Sequence, residues 1–229
     1  MGRIKLFGMG VRRRDMSAED FHDYWRHPHG TWGRQMSTLR GYVQSHQIHT
    51  QHLGPGQAEY ECVAEMWLDN EKDVTGFQQE PVYAKYLHDD APNFVDYSRA
   101  IYFATEEEVL TSGPAPRAAL APGDDMWSLN TRPFSIKLLH FVGVDGSANW
   151  ASAGDEALGL SLRALRHVRC HPLPSVNDRE LKFRGVQELW WPTIRAFRAG
   201  VAAAPAALST LLSDAGRSVT LLAQAERFL

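Results

Sequence analysis

Cysteine is nearly missing from this sequence: Cys62 and Cys170 are the only two in 229 residues, and they make no CxxC pair. Neither a disulfide framework nor a thiolate zinc site is indicated. No apolar run reaches the ~18 residues that cross a bilayer as a helix. The start, MGRIKLFGMGVRRRD, has neither the uninterrupted apolar stretch nor the small-residue cleavage site of a signal peptide. The expectation is a cytoplasmic protein with no membrane partner. Large charge of one sign is also lacking: the net charge is −3, with basic residues interspersed among acidic ones. That pattern argues against a phosphate-tracking surface and hence against a nucleic-acid partner, and the RRR run at Arg12–Arg14 reads as a solvated turn. Nucleotide-binding loops of the GxGxxG or GKS/T kind are missing too.

What is present is a core-forming composition, 44% hydrophobic and 22% charged, sufficient for one large domain or two small ones. Strand-like and helical segments alternate. RIKLFGMGV has strand spacing, and SAEDFHDYWRH follows as a helix capped by Ser17, with Asp20 near its third position. LRGYVQSHQI and AEYECVAEMWL read as two strands separated by the turn signal of HLGPGQ. NEKDVTGFQQEPVYAKYL reads as a second helix and NFVDYSRAIYFATEEEV as a closing strand, giving the order βαββαβ. Residues 109–133, dense in proline, alanine and glycine, read as a linker.

The pattern then restarts. IKLLHFVGV from Ile136 echoes IKLFGMGV, LRHVRCH from Leu165 echoes LRGYVQSH, and QELWW from Gln187 echoes AEMWL, at offsets of 132, about 125 and 123 residues. SVTLLAQAERFL supplies a last strand. The expected architecture is α+β: two tandem ferredoxin-like halves, residues 1–108 and 134–229, whose four-stranded sheets face each other as an intramolecular barrel. The interior of that barrel is the expected pocket.

Six of the ten histidines fall between His22 and His52. In YWRHPHGTW, Pro28 disfavours helical geometry at His27 and Gly30 offers a flexible turn, so the helix is expected to open there and free His29 to aim at the barrel mouth. An imidazole exchanges protons near neutral pH, as acid–base work requires. On the second strand the period of two puts Tyr42, Gln44 and His46 on one face, and the echo strand puts His167, Arg169 and His171 on the matching face. Polar groups at alternate positions of a buried strand need partners, which a ligand or a wet barrel interior supplies. Arg40 and Arg169 suit a carboxylate or phenolate. Among the abundant aromatics, Tyr24, Trp25 and Trp67 are candidates to hold a flat substrate, most of the rest being core. His46, His49 and His52 lack metal-ligand spacing, and no HExxH occurs.

The run Phe21, Tyr24, Trp25, His29, Gly30, followed by Leu39, Tyr42, Val43 and Gln44, resembles the EthD family of dimeric α+β barrels, over about residues 3–108. The second half is similar only in outline, since SAGDEALGLSLRAL has no YW and no HG. The resemblance implies small cofactor-free isomerases, lyases and cyclases. In methyl-shifting lactone isomerases of that superfamily a histidine and a tyrosine belong to the active site, which implies His29 and Tyr42 here; the cysteine of such enzymes is Met66 in this chain. Barrels of other related families bind heme, for which no axial ligand stands out here.

The resulting expectation is a cofactor-independent lyase or isomerase acting on a small aromatic or phenolic acid by decarboxylation, dehydration or ring opening. His29, Tyr42 and His46 are its catalytic candidates, and Tyr24, Trp25, Arg40, Gln44, Trp67, His167 and Arg169 its substrate-binding candidates. The alternatives are a non-catalytic ligand binder or accessory protein and a heme- or metal-dependent oxygenase. Fusion of two halves completes one barrel in a single chain without forbidding a homodimer through its outer faces.

Overall fold

Alternation in IKLFGMG makes a strand, β1 (Ile4–Gly10), with Lys5, Phe7 and Met9 on one face and Ile4, Leu6 and Gly8 on the other. In the computed structural model, which describes residues 3–58, 60–112, 132–177, 181–213 and 217–229, seven further strands share this two-faced character. They are β2 (Gly41–Gln47), β3 (Cys62–Leu68), β4 (Ile101–Ser112), β5 (Phe134–Gly143), β6 (Arg166–Pro172), β7 (Phe183–Trp191) and β8 (Val219–Arg227).

All pairings are antiparallel and the sheet closes on itself in the order β1-β3-β2-β8-β5-β7-β6-β4. Instead of two sheets facing each other, the strands of residues 4–112 and those of residues 134–227 join edge to edge, through β2 on β8 and β4 on β6. Closure leaves no strand edge exposed. Within each run of four the order is the same, β4-β1-β3-β2 and β8-β5-β7-β6. The registers also correspond: Lys5 lies opposite Trp67 and Val43 opposite Glu65, as Lys137 lies opposite Trp190 and Val168 opposite Glu188.

The barrel interior is not the expected pocket. Over most of its length it is packed with Phe7, Met9, Val63, Phe103, Leu139, Phe141, Val168, Phe183 and Leu221. Each such side chain contributes about 1.5–3 kcal/mol by leaving water. At one end the packing gives way to four buried charges. Lys137 Nζ lies 2.6 Å from Glu65 and 2.7 Å from Glu188, and Lys5 Nζ lies 2.8 Å from Glu65 and also contacts Glu188. All four are at most 1% exposed. Burial works against the Lys5 ammonium, but Glu188, Glu65 and Glu107 together hold it charged above the ordinary lysine range.

Helices cover the outer faces, sealing Ile4, Leu6, Tyr42, Met66 and Leu68 under the first set and Leu138, Leu189, Trp191 and Leu222 under the second. In the second set α5 (Asp155–Ser161) faces α7 (Pro205–Leu211), while α6 (Ile194–Ala203) packs against β7. Several element expectations are corrected. The strand expected over 93–109 begins at Ile101, because Tyr97–Arg99 form a tight helical turn. Residues 109–112, expected as linker, continue β4, where Val109 and Ser112 pair with Val168 and Arg166. The rest of the linker, 113–131, lies outside the described residues.

Candidate active site

Ser17 caps the first helix, α1 (Ala18–Tyr24), by accepting the Asp20 amide at 3.0 Å. The helix does not open at Pro28. It widens through Trp25–His29, where the Gly30 amide reaches back to the Trp25 carbonyl, and continues as α2 (Gly30–Gly33). A widened turn absorbs a proline by relaxing the ladder of hydrogen bonds instead of ending it. Gly30 is helical, with φ −62°, so its smallness serves packing: a Cβ there would come within 2.8 Å of Gln44 and Phe228, and one at Gly33 within 2.8 Å of Tyr42. This close approach presses Trp25 against β2, where its carbonyl accepts from Gln44 and its ring packs on His46.

The second helical region of the first half is broken. Asn70 caps α3 (Glu71–Thr75), which ends at Gly76, and Glu80 is extended (ψ 131°) before Pro81, as a residue preceding proline prefers. The buried Glu80 carboxylate then accepts the Val82 and Tyr83 amides at 2.8 and 3.0 Å and starts a second helical stretch, Tyr83–Leu87 followed by α4 (His88–Asp90). That restart carries Tyr83 and Asp90 to the widened turn of the first helix.

There Asp90, 5% exposed, holds two partners at once: His29 Nδ1 at 2.8 Å and the Tyr24 hydroxyl, which donates at 2.6 Å. Burial raises the pKa of the Asp90 carboxyl, but the hydrogen bonds from His29 and Tyr24 outweigh it and leave it below its ordinary value. With Nδ1 committed to Asp90, Nε2 of His29 is left for the cavity beside it. That cavity, about 690 Å³ and partly open to solvent, lies between β1, β3 and the helices, and Trp25, His29, Tyr42, Met66, Phe94 and Leu87 line it. Tyr83, Tyr97 and Tyr102 line it as well. Tyr83 and Tyr97 hydroxyls are 3.2 Å apart, and Tyr102 hydrogen-bonds to both. Burial and the hydrogen bond with Tyr97 push the Tyr83 phenol up to about 12, so its hydroxyl acts as a neutral donor. Cys62 also reaches the cavity, but burial raises its thiol well above the ordinary range, which rules out a resting thiolate.

Of the sequence candidates, His29, Trp25 and Tyr42 meet at this cavity, and Tyr24 stands behind it on Asp90. Tyr42, Gln44 and His46 do share a face, but it is the face under the first helix and not the barrel interior, which receives Val43 and Ser45. Gln44 Nε2 donates to the Trp25 carbonyl and to the Tyr42 hydroxyl, both at 2.8 Å, and thereby fixes the ring of Tyr42. His46 lies behind Trp25, ring centroids 4.5 Å apart, with Nδ1 3.0 Å from His22 Nδ1, and does not line the cavity.

The remaining four lie elsewhere. His167 binds Gln187 at 2.7 Å, and Arg169 is tied to Glu108 at 2.7 Å and Asp155 at 3.3 Å, under the helices of the second half. Two polar stripes do not face one space; each sits beneath its own helices. Arg40, paired with Asp69 at 2.6 Å, and Trp67 border a separate opening at the charged end of the barrel. Asp90, Tyr83 and Tyr102 were not singled out from the sequence. The usable signal was topological: both helices of a βαββαβ unit pack on one sheet face, so an acid late in the second helical region neighbours the first.

Donor atoms of Glu107, Cys170 and Glu188 come within 4.8 Å of one another. The Lys5 ammonium contacts both carboxylates, and burial keeps the Cys170 thiol protonated, so the group does not suit a cation. Among the described residues no helix is long and apolar enough to cross a membrane.

Comparison with known proteins matches residues 13–98 to the EthD domain. The chain is similar to the decarboxylase nsrE of Aspergillus novofumigatus (strain IBT 16806), 26% identical over 119 residues that span 46% of this chain and 79% of that protein. Among solved structures it is similar to an anthrone oxidase-like protein, with a TM-score of 0.59 at 10% identity over 100% of this chain and 94% of that one. An EthD-family protein of Bacillus halodurans C-125 matches 46% of this chain and 99% of its own, at 17% identity and a TM-score of 0.39. Residues 13–98 are an EthD domain, which holds α1, the widened turn, β2, β3 and the Asp90 segment of the site.

Proposed function

From an EthD domain built around a His29–Asp90 pair, we propose that the protein is a cofactor-independent decarboxylase of a hydroxylated aromatic acid. The observation that carries this reading is the site itself: a buried carboxylate holds His29 Nδ1 at 2.8 Å beside an apolar cavity that no lysine or arginine lines among the described residues. A substrate carboxylate placed there exchanges water for largely apolar walls, where the charge of a protonated His29 is already balanced by Asp90, so losing its own charge as CO₂ is favoured. The similarity to a decarboxylase supports the same choice among dehydration, ring opening and decarboxylation.

The step needs one proton and no oxidant. Protonated His29 gives its Nε2 proton to the ring carbon that bears the carboxylate, while Asp90 stabilises the imidazolium through Nδ1–H. The ring carbon–carboxylate bond then breaks, CO₂ leaves, and the bonding pair returns to the ring and restores aromaticity. Solvent reprotonates His29. Tyr42, fixed by Gln44, and the three clustered tyrosines donate hydrogen bonds to substrate hydroxyl or carbonyl oxygens, and Trp25 and Phe94 hold the ring plane. Arginine, expected to clamp the carboxylate, has no part in this reading, because Arg40 and Arg169 are ion-paired elsewhere.

We propose further that the two four-stranded runs are tandem ferredoxin-like halves, the intramolecular counterpart of a two-subunit barrel. The repeated strand order and the matched Lys–Trp and Val–Glu registers support this. Only the first carries the His29–Asp90 pair, so one working site is expected per chain. A panel of hydroxylated naphthoic and anthracene carboxylic acids, assayed for CO₂ release, tests the reading. Turnover of at least one, lowered by about 10² or more in His29→Gln, is expected. CO₂ release that is equal in His29→Gln and wild type would overturn it.

A further inference from the structure

The charged end of the barrel opens into a second cavity of about 1530 Å³, separate from the site of His29. Its walls carry two tryptophans at matching strand positions, and each indole has a lysine and an arginine against it, Lys137 also lying 5.9 Å from the ring of Trp67. Lys5 Nζ and the Arg227 guanidinium lie 4.6 and 5.8 Å from the ring of Trp67; Lys137 Nζ and the Arg166 guanidinium lie 3.8 and 5.4 Å from that of Trp190. The lysines are neutralised by Glu65 and Glu188. The third interior carboxylate, Glu107, accepts from Lys5 at 3.4 Å and from the Trp67 indole at 3.0 Å, and Glu188 takes the Trp190 indole at 2.7 Å. At the rim, Arg3 and Arg40 share Asp69, and Glu106 is exposed to water.

Arg227 has no such partner. It donates to the Leu229 main-chain oxygen at 2.7 Å but forms no ion pair with an acidic side chain among the described residues, although it is half-buried. Burial lowers its guanidinium below the ordinary range, and the charge of Arg166 adds to that effect. Among the described residues Arg227 therefore brings a guanidinium without an acidic side-chain partner to a mouth that Trp67, Arg166 and Trp190 also line.

From this arrangement we infer that the barrel mouth is a second binding site, for a planar aromatic monoanion. The ring lies against the half-buried Trp67 with Trp190 behind it, and the carboxylate or equivalent anionic group accepts from Arg227, with Arg166 adding charge. A guanidinium matches a carboxylate with two parallel N–H donors, and indole faces favour a flat apolar body. The site does not depend on the chemistry proposed for His29, and a ligand there leaves that cavity open.

The test titrates the full chain with 2-naphthoate and follows the indole N–H resonances, those of Trp67 and Trp190 being assigned with Trp67→Phe and Trp190→Phe. Saturable shifts of both signals are expected, with half-saturation raised about tenfold or more in Arg227→Gln, partly restored in Arg227→Lys, and also raised in Arg166→Gln. Methyl 2-naphthoate, which has the ring without the charge, should not saturate them. The inference is overturned if only the Trp25 signal moves, if the methyl ester binds as tightly as the acid, or if both arginine variants bind like wild type.

Discussion

His46 gives the stability of this protein a pH dependence that can be worked out from its surroundings. It is 3% exposed, packed on Trp25 and His22, and burial, with the nearby Arg26 charge, lowers its pKa to about 2. Glu226, 4.0 Å away, does not rescue the imidazolium because both its oxygens accept from Arg26, at 2.7 and 2.8 Å. In the unfolded chain the same ring titrates near 6.5. A histidine with a depressed folded pKa leaves stability intact above the unfolded value. It removes stability as pH falls below that value, because the unfolded state then binds the proton the folded state refuses. From pH 6.5 down to 5 this amounts to about 1.5 units at 1.36 kcal/mol each, or ~2 kcal/mol. His22 and His167, also lowered by burial, add to the slope in the same direction. Urea unfolding of wild type and His46→Leu at pH 7.5 and 5.0 isolates the His46 share, since the packing cost of leucine cancels in the difference between the two pH values. The variant should lose ~2 kcal/mol less than wild type on acidification. Equal losses would refute the reasoning.

Removing one member of the buried Lys5–Glu65–Lys137–Glu188 group should be costly: Glu188→Gln leaves two ammonium groups under-neutralised and should destabilise by about 3–5 kcal/mol in chemical denaturation at pH 7. Gly33→Val places a branched side chain where even a Cβ meets Tyr42 at 2.8 Å, so a loss of about 1–3 kcal/mol is expected together with weaker substrate binding. Tyr24→Phe removes one donor from Asp90 without touching the cavity wall; kcat should fall severalfold with KM nearly unchanged, whereas a change in KM alone would assign Tyr24 to binding.

Local features of this fold were legible because they depend on neighbours in sequence. The two-residue period correctly grouped Tyr42 with Gln44 and His46, and Ser17 does cap its helix. What the period does not say is which face of a strand meets the cavity. Closure of the barrel turned Val43 and Ser45 inward, put the polar stripe under the helix, and filled the interior with Phe7, Phe141 and Phe183. Asp90 was hidden for another reason. Its place beside His29 depends on two breaks in the preceding helical stretch, at Gly76 and before Pro81, whose combined geometry the pattern of apolar residues does not encode. Arg169 read as a free cation because its partner, Glu108, is 61 residues away across the β4–β6 seam.

The central claim is that His29 delivers the proton that replaces CO₂. It is tested most directly by running the reaction to completion in D₂O and locating deuterium in the product by NMR, for wild type, Asp90→Asn and His29→Gln. Wild type should place one deuterium at the carbon vacated by the carboxylate. Asp90→Asn should do so at a rate lower by about 10-fold or more, and His29→Gln about 10² or more below wild type. Deuterium appearing at that carbon at the wild-type rate in His29→Gln, or a product that retains the carboxylate, would contradict the account.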